Sequence, residues 1–216
     1  QKESSKQKGT NDYEENDDQP AWYDYESIAG GQWMIGAGAG AQYYIGDHNR
    51  QLDIKDNLSP TIHAYIGRWF SPVYGLRIDY QGYKCKGAAL WWEPYTYGDM
   101  IIFNNGATGK FTKYNYMNFK ADFLFNVTQF RNKEGKFKRF DFIPYIGVGW
   151  TYITTQPKGD SFTCGGGFMT ACKLAKHWDL VLDLHAMIIQ DKSDGVYGGR
   201  HGEGIVDASL GLNYHF

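Results

Sequence analysis

Two histidines and a series of aspartates recur at alternate positions along the chain, and they are the residues with the most chemistry to offer. His63 and His185, with Asp79, Asp122, Asp141, Asp179, Asp183 and Asp207, share one face of their segments with Arg77, Lys120 and Lys173. Carboxylates beside histidine can hold a metal or pass protons, and either role needs groups within reach of one another. None of these residues shows the short local spacing of a ligand set. Acids and bases crowded onto one face more commonly form an ion-pair network that offsets their desolvation, and a network is expected here. A second set, Asp47, His48, Asp53, Asp191, Asp194 and His201, falls between the segments, where an enzyme or a ligand-binding surface would place its site. No serine joins them with histidine and acid partners, and Gly198-Gly199-Arg200-His201-Gly202-Glu203-Gly204 reads first as a glycine-rich connection. The expectation is of no enzyme, no catalytic or metal site and no cofactor.

The elements that position these residues are β-strands. In the first, Trp33, Ile35, Ala37, Ala39, Ala41, Tyr43 and Ile45 alternate with Gln32, Met34, Gly36, Gly38, Gly40, Gln42 and Tyr44. Similar alternation recurs over 61–67, 76–81, 117–126, 141–152, 162–174, 179–188 and 206–216. A period of two places one set on each face of a strand. The charges keep to one face, and Phe, Leu, Ile, Tyr and Trp crowd the other. The count predicts an all-β fold, an eight-stranded antiparallel up-and-down barrel over residues 31–216.

Alternation does not by itself say which face points outward. A soluble barrel of the lipocalin kind also has eight strands, and Gly31-Gln32-Trp33 is similar to the Gly-x-Trp of its first strand. Volume decides. The interior of such a barrel is filled by side chains or one small ligand, too little for the aromatic face. The glycines at 36, 38, 40, 147, 149, 165 and 167 suit a crowded lumen instead. The apolar face therefore meets lipid, and the barrel is transmembrane. Trp33, Tyr43, Phe140, Tyr152, Tyr214 and Phe216 lie where two interfaces would flank an apolar band about 25 Å tall. No stretch reaches the ~20 apolar residues of a membrane helix, and the negative mean hydropathy follows from diluting each lipid-facing residue with a polar one. The net charge of −2 favours no nucleic-acid partner.

The final segment reads Ser209-Leu210-Gly211-Leu212-Asn213-Tyr214-His215-Phe216. Its Ser209, Gly211, Tyr214 and Phe216 resemble the C-terminal signal by which outer-membrane barrels are recognised for insertion, which implies the barrel-assembly machinery as a transient partner. Residues 1–30 form a segment of a different kind, with eight acidic side chains against Lys2, Lys6 and Lys8 and few aliphatic ones; this is the composition of a tail. An even strand count puts both termini on one side, expected to be periplasmic, with short connections at 68–74, 129–139 and 175–177. The second is basic, with Arg131, Lys133, Lys136, Lys138 and Arg139 against Glu134. Tail and connection either stay apart, since exposed ion pairs contribute little, or the tail docks beneath the barrel or on a neighbouring protein. No apolar segment precedes the barrel, so any secretory signal is expected to have been removed already. Cys164 and Cys172 on one strand lie about 26 Å apart and cannot pair; with Cys85 in a loop, free thiols are expected.

Longer loops are expected on the far side, at about 46–59, 84–112, 157–161 and 191–203. The second is unusually apolar, so Trp91, Trp92, Ile101 and Phe103, with Trp22 and Tyr25 of the tail, are candidate partner contacts.

The runs Gly36-Ala37-Gly38-Ala39-Gly40-Ala41-Gln42-Tyr43-Tyr44-Ile45-Gly46-Asp47-His48, Gly67-Arg68-Trp69-Phe70-Ser71-Pro72, Gly75-Leu76-Arg77, Ile143-Pro144-Tyr145-Ile146-Gly147-Val148-Gly149 and Gly202-Glu203-Gly204 together resemble the OmpA-like barrel domains of Bacteroidota outer membranes. The resemblance covers about residues 31–216. It implies an outer-membrane location, contact with lipid and lipopolysaccharide, and a role as anchor, adhesin or accessory subunit beside other outer-membrane or periplasmic proteins. The family's C-terminal peptidoglycan-binding domain has no counterpart before Phe216, so peptidoglycan tethering is not carried over.

Overall fold

A computed structural model describes residues 31–45, 54–90, 94–103, 106–132, 138–190 and 202–216. Along the chain come β1 (Trp33–Ile45), α1 (Ile54–Asn57), β2 (Leu58–Trp69), β3 (Tyr74–Leu90), β4 (Thr96–Ile102), β5 (Thr108–Phe125), α2 (Val127–Phe130), β6 (Phe140–Ile153), β7 (Gly159–Ala175), β8 (Trp178–Gln190) and β9 (Gly202–His215). The sheet runs β3-β2-β1-β9-β8-β7-β6-β5, and β3 pairs with β5 to close it. All pairings are antiparallel, so the closed wall of eight strands leaves no open edge in the hydrocarbon.

The seam between first and last strands is tied at its end by Trp33 N–H to the Phe216 carbonyl, 3.1 Å, and Phe216 N–H to the Trp33 carbonyl, 3.0 Å. Gly38 stands opposite Gly211 there. A Cβ on Gly211 would lie 2.4 Å from the Ala37 carbonyl oxygen. The glycine of the terminal pattern thus has a packing reason within the barrel wall.

The aromatic and aliphatic face points outward, with Ile35, Ile66, Ile78, Phe123, Ile146, Leu182 and Leu210 all exposed on the wall. Its aromatics mark two levels. Trp33, Tyr74, Phe140, Trp178 and Phe216 stand at the rim that carries the described chain ends, and Tyr83, Trp150, Tyr152 and Phe162 toward the far rim. From Trp33 to Tyr43 the strand runs ~33 Å, and a tilt of ~40° brings this to about 25 Å, the height of an outer-membrane apolar band.

Most of the described residues of 84–112 lie in strands rather than in a loop. β3 continues to Leu90 and β5 begins at Thr108, so the two remain paired well past the partners of β2, which end at Tyr83. β6 stops at Ile153, opposite Tyr116, and β4 occupies the vacated side of β5 at Thr96↔Thr112 and Ile102↔Thr108. The alternation that marks the other strands fails here because nothing beyond the band must face lipid on every second residue. The fourth barrel strand consequently begins at Thr108 rather than 117, and residues 58–59, 159–161 and 202–203 also belong to strands.

Cys85 is in β3, not in a loop, and is buried, whereas Cys164 is exposed on the outer wall and Cys172 is half-buried; all three are free thiols. Burial pushes the Cys85 thiol up to about 12. Because the thiolate is the reactive form, Cys85 is expected to stay unmodified by a water-soluble maleimide at pH 8 in the folded protein and to react fully once unfolded, as read by intact mass. Rapid labelling of the folded protein would contradict this placement.

Candidate functional site: the barrel lumen

The lumen is built in layers. Nearest the terminal rim, Met34, Tyr65, Trp69, Leu124, Ile143 and Met169 belong to one buried apolar cluster. Toward the far rim a second cluster holds Tyr44, Cys85, Tyr114, Tyr116, Met187 and Ile205. The charged side chains lie between them.

Cross-strand register assembles the charges. β3 carries Arg77 and Asp79, β5 carries Lys120 and Asp122, and antiparallel pairing sets Arg77 opposite Asp122 and Asp79 opposite Lys120. Arg77 Nε donates to Asp122 Oδ2 at 2.8 Å, and its Nη1 donates to Asp183 Oδ2 at 3.2 Å. Lys120 Nζ stands 3.6 Å from Asp79 Oδ2 and 3.5 Å from Asp122 Oδ1. Tyr145 donates its hydroxyl to Asp183 at 2.5 Å. Its ring also lies under the Arg77 guanidinium at 4.3 Å, with Tyr65 at 5.0 Å from the same group. The cation is therefore held by carboxylates at its edge and aromatic faces on its flanks.

The histidines complete a ring. Lys120 Nζ is 2.9 Å from His185 Nε2, and His185 Nδ1 is 2.9 Å from Asp207 Oδ2. Asp207 Oδ1 is 3.0 Å from His63 Nε2, and His63 Nδ1 stands 3.7 Å from Asp79 Oδ2, which returns to Lys120. An ammonium has no acceptor site, so a charged Lys120 requires His185 Nε2 to accept and Nδ1–H to face Asp207. Gln81 Nε2 adds a hydrogen bond to Asp207 at 2.8 Å. Every carboxylate of this cluster is 7% exposed or less, which is affordable only in a paired arrangement. Among the described residues no group of histidine, cysteine and acid residues has metal-holding geometry.

The structure does not bring all the predicted lumen charges together. Asp141, Lys173 and Asp179 lie on the rim side of the first apolar cluster, away from Arg77. There Lys173 Nζ is 3.4 Å from Asp141, Gln129 Nε2 donates to Asp141 at 2.9 Å, and His215 Nε2 lies 2.5 Å from Asp179. Gln129 reaches that point because Asn126 caps α2, accepting its backbone N–H at 3.0 Å. Tyr65, Gln81 and Tyr145 escaped the charge-based reading; their signal was an inward position in the alternation.

Small residues make room for the network. A Cβ on Gly147 would fall 1.9 Å from Asp122 Oδ1, and one on Gly36 would fall 2.2 Å into the Tyr65 ring. Of the predicted insertion residues, Ser209 is buried in the lumen and Phe216 is exposed at the rim; Tyr214 is half-buried, its ring packed on Trp178 with centroids 4.9 Å apart. Among the candidate contacts Phe103 is buried, its ring over Gly109, so it is not an exposed contact in this fold. Ile101 is half-buried, while Tyr97, Met100 and Ile102 of β4 are the exposed apolar side chains of that segment. Trp22, Tyr25, Trp91 and Trp92, together with Asp47, His48, Asp53, Asp191, Asp194 and His201, lie outside the described residues.

A closed antiparallel barrel with an apolar wall and its ionised side chains turned inward defines an integral outer-membrane β-barrel protein. The chain has this fold and resides in the outer membrane, and it is similar to proteins of that compartment. It is 24% identical over 208 residues to Outer membrane protein 41 of Porphyromonas gingivalis, covering 86% of this chain and 48% of the relative. It is 27% identical over 125 residues to Outer membrane protein 40 of the same organism, covering 57% of this chain and 28% of the relative. The chain thus spans half or less of the curated relatives it matches. A solved major outer membrane protein from Thermus thermophilus shares the fold, with a TM-score of 0.51 and 16% identity over 86% of this chain and 99% of that one. No family model matches the chain.

Proposed function

We propose that the protein is a structural outer-membrane barrel with a charge-plugged lumen, serving as an accessory or anchoring subunit of a larger outer-membrane complex. The observation that carries this reading is the buried Arg77–Asp122–Lys120–His185–Asp207 network sealed between two apolar layers. Such an interior offers no continuous aqueous path, and a wall of eight strands is just wide enough to be filled. The termini would be periplasmic and the β3–β4–β5 extension would stand outside the cell. Tyr97, Met100 and Ile102 would there meet a partner protein or lipopolysaccharide. Ser209, Gly211, Tyr214 and Phe216 would be read by the assembly machinery before the barrel closes.

Two measurements test this. In planar bilayers the purified protein is expected to give no steady single-channel conductance; a stable open level would refute the plug. After extraction in mild detergent and crosslinking, a stoichiometric companion is expected to crosslink near Met100 and Ile102. A monomer without companions would refute the subunit role and leave the plug standing.

A further inference from the structure

We propose that Lys84, Lys86 and Lys113, on the outer face of the β3–β5 ribbon just above the far aromatic belt, bind the phosphate groups of lipopolysaccharide. The inference rests on the proposed orientation, with this extension outside the cell, and gives the lipid contact of that reading a named site.

The register gathers the lysines. Tyr114, Tyr116 and Asn118 of β5 are buried, so Lys113 and Asn115, which alternate with them, are exposed on the outer face. Lys86 stands directly opposite Lys113, and Lys84 opposite Asn115. Directly opposed residues have their Cβ atoms about 4.5–5.5 Å apart, and like charges placed so repel. Among the described residues no carboxylate pairs with any of the three lysines. Asp160, toward the same rim on β7, accepts from Trp150 Nε1 at 2.8 Å instead. Lysines on an exposed edge discourage strand addition, and Lys84 and Lys86 do lie on the edge that β2 leaves at Tyr83. Lys113 lies on β5, between β3 and β4, so edge protection does not account for it.

Tyr83 fixes their level in the membrane. By parity it belongs with Asp79 and Gln81 on the lumen side, yet its φ is +120° and its ring is exposed, 4.7 Å from Lys84 Nζ. A bulky residue rarely adopts this conformation; here it turns the ring out to the belt of Trp150 and Tyr152 and sets it against the ammonium. From Tyr83 to Lys86 the strand rises ~10 Å, or ~7–8 Å along the barrel axis at a tilt of ~40°. That height matches the ~5–7 Å headgroup layer outside the hydrocarbon. Below it Tyr80 and Phe119, with ring centroids 5.3 Å apart, face the acyl chains. The charge selects the lipid. Three cations exceed the single negative charge of a phosphodiester and suit phosphomonoesters, which carry about −1.5 to −2 each near neutral pH. Lipopolysaccharide carries such groups on its acylated sugar anchor.

Native mass spectrometry of the full chain in detergent, titrated with diphosphoryl lipid A, tests the proposal. This lipid is expected to bind about tenfold more tightly than its dephosphorylated form or phosphatidylglycerol, because each lysine beside lipid phosphate adds attraction. Lys84→Gln/Lys86→Gln/Lys113→Gln is expected to remove that advantage, and Lys84→Arg/Lys86→Arg/Lys113→Arg to retain it. Arg131→Gln/Lys138→Gln/Arg139→Gln, which removes the same formal charge from exposed positions at the opposite rim, is expected to leave it unchanged. The comparison of lipids needs no variant, so a failure of the glutamine variant to fold leaves the test intact. Equal binding of the phosphorylated and dephosphorylated forms would overturn the proposal, as would an advantage that survives the glutamine variant. Phosphatidylglycerol binding as tightly as diphosphoryl lipid A would assign the lysines to a general attraction for anionic lipid and overturn it as well. Orientation is read separately. Asp99→Cys, at an exposed position of β4 and in a Cys164→Ser background, is expected to react with an impermeant maleimide on intact cells. Reaction only after lysis would refute the proposed orientation and, with it, lipopolysaccharide as the occupant. Labelling on intact cells beside lipid binding indifferent to the lysines would overturn this inference alone.

Discussion

Arg77→Met is expected to destabilise the folded barrel by about 3–5 kcal/mol, the typical penalty for leaving buried charge without its partner. The guanidinium donates to both Asp122 and Asp183, and neither carboxylate reaches bulk water. Methionine would keep much of the volume and the contact with Tyr65 and Tyr145 while removing the charge. The loss therefore measures unpaired carboxylate rather than a cavity. Adding Asp122→Asn and Asp183→Asn to Arg77→Met is expected to restore more than half of it, because the two carboxylates stranded by the loss of Arg77 are then neutral while Lys120 keeps Asp79. Urea unfolding in lipid or detergent, followed by tryptophan fluorescence, gives both numbers. A loss below ~1 kcal/mol for the single variant would mean that water reaches the cluster and that the lumen is not sealed.

Leu182→Arg is expected to cost about 2–4 kcal/mol, and Trp178→Arg on the same strand no more than about 1, following the depth dependence of charge on a lipid-facing wall. Both side chains are exposed on the outside of β8 to the same degree, 45%, so exposure cannot separate them. Trp178 lies at the terminal rim, where an arginine can extend to the headgroups. Leu182 lies four residues further toward the middle of the band, where it cannot do so without thinning the bilayer. Unfolding from liposomes ranks the two variants. Equal costs would mean that the apolar wall is not immersed at the depth its aromatic belts imply.

The central charge cluster was more legible than residue types suggest. Arg-x-Asp in β3 and Lys-x-Asp in β5 become complementary when the strands run antiparallel, and the observed register sets Arg77 against Asp122 and Asp79 against Lys120. Asp141, Lys173 and Asp179 carried the same signal, inward and charged, yet they occupy another level. Alternation reports the face of a residue and not its height along the barrel axis, because height depends on the stagger between strands. Parity places Tyr65 and Tyr145 on the inward face as well, but a reading confined to charge leaves them out of the network, and inside this lumen their rings support Arg77.

Composition and parity alone therefore determined the membrane barrel: the hydrophobic effect allows only one of two faces to meet lipid, and the lumen is too small for the aromatic one. At the terminal rim the alternation also placed the strand ends to within two residues, whereas at the far rim several strands extend beyond it. It did not reveal the β3–β4–β5 extension, because strands beyond the bilayer are held by backbone hydrogen bonds that impose no pattern on side chains. Only the tertiary structure decided that β4 takes over the edge of β5 where β6 stops, that Phe103 is buried over Gly109, and that the charged side chains divide into a central ring and two rim pairs. Those outcomes depend on which strand stands beside which and at what stagger, and contacts between residues distant in the chain set both.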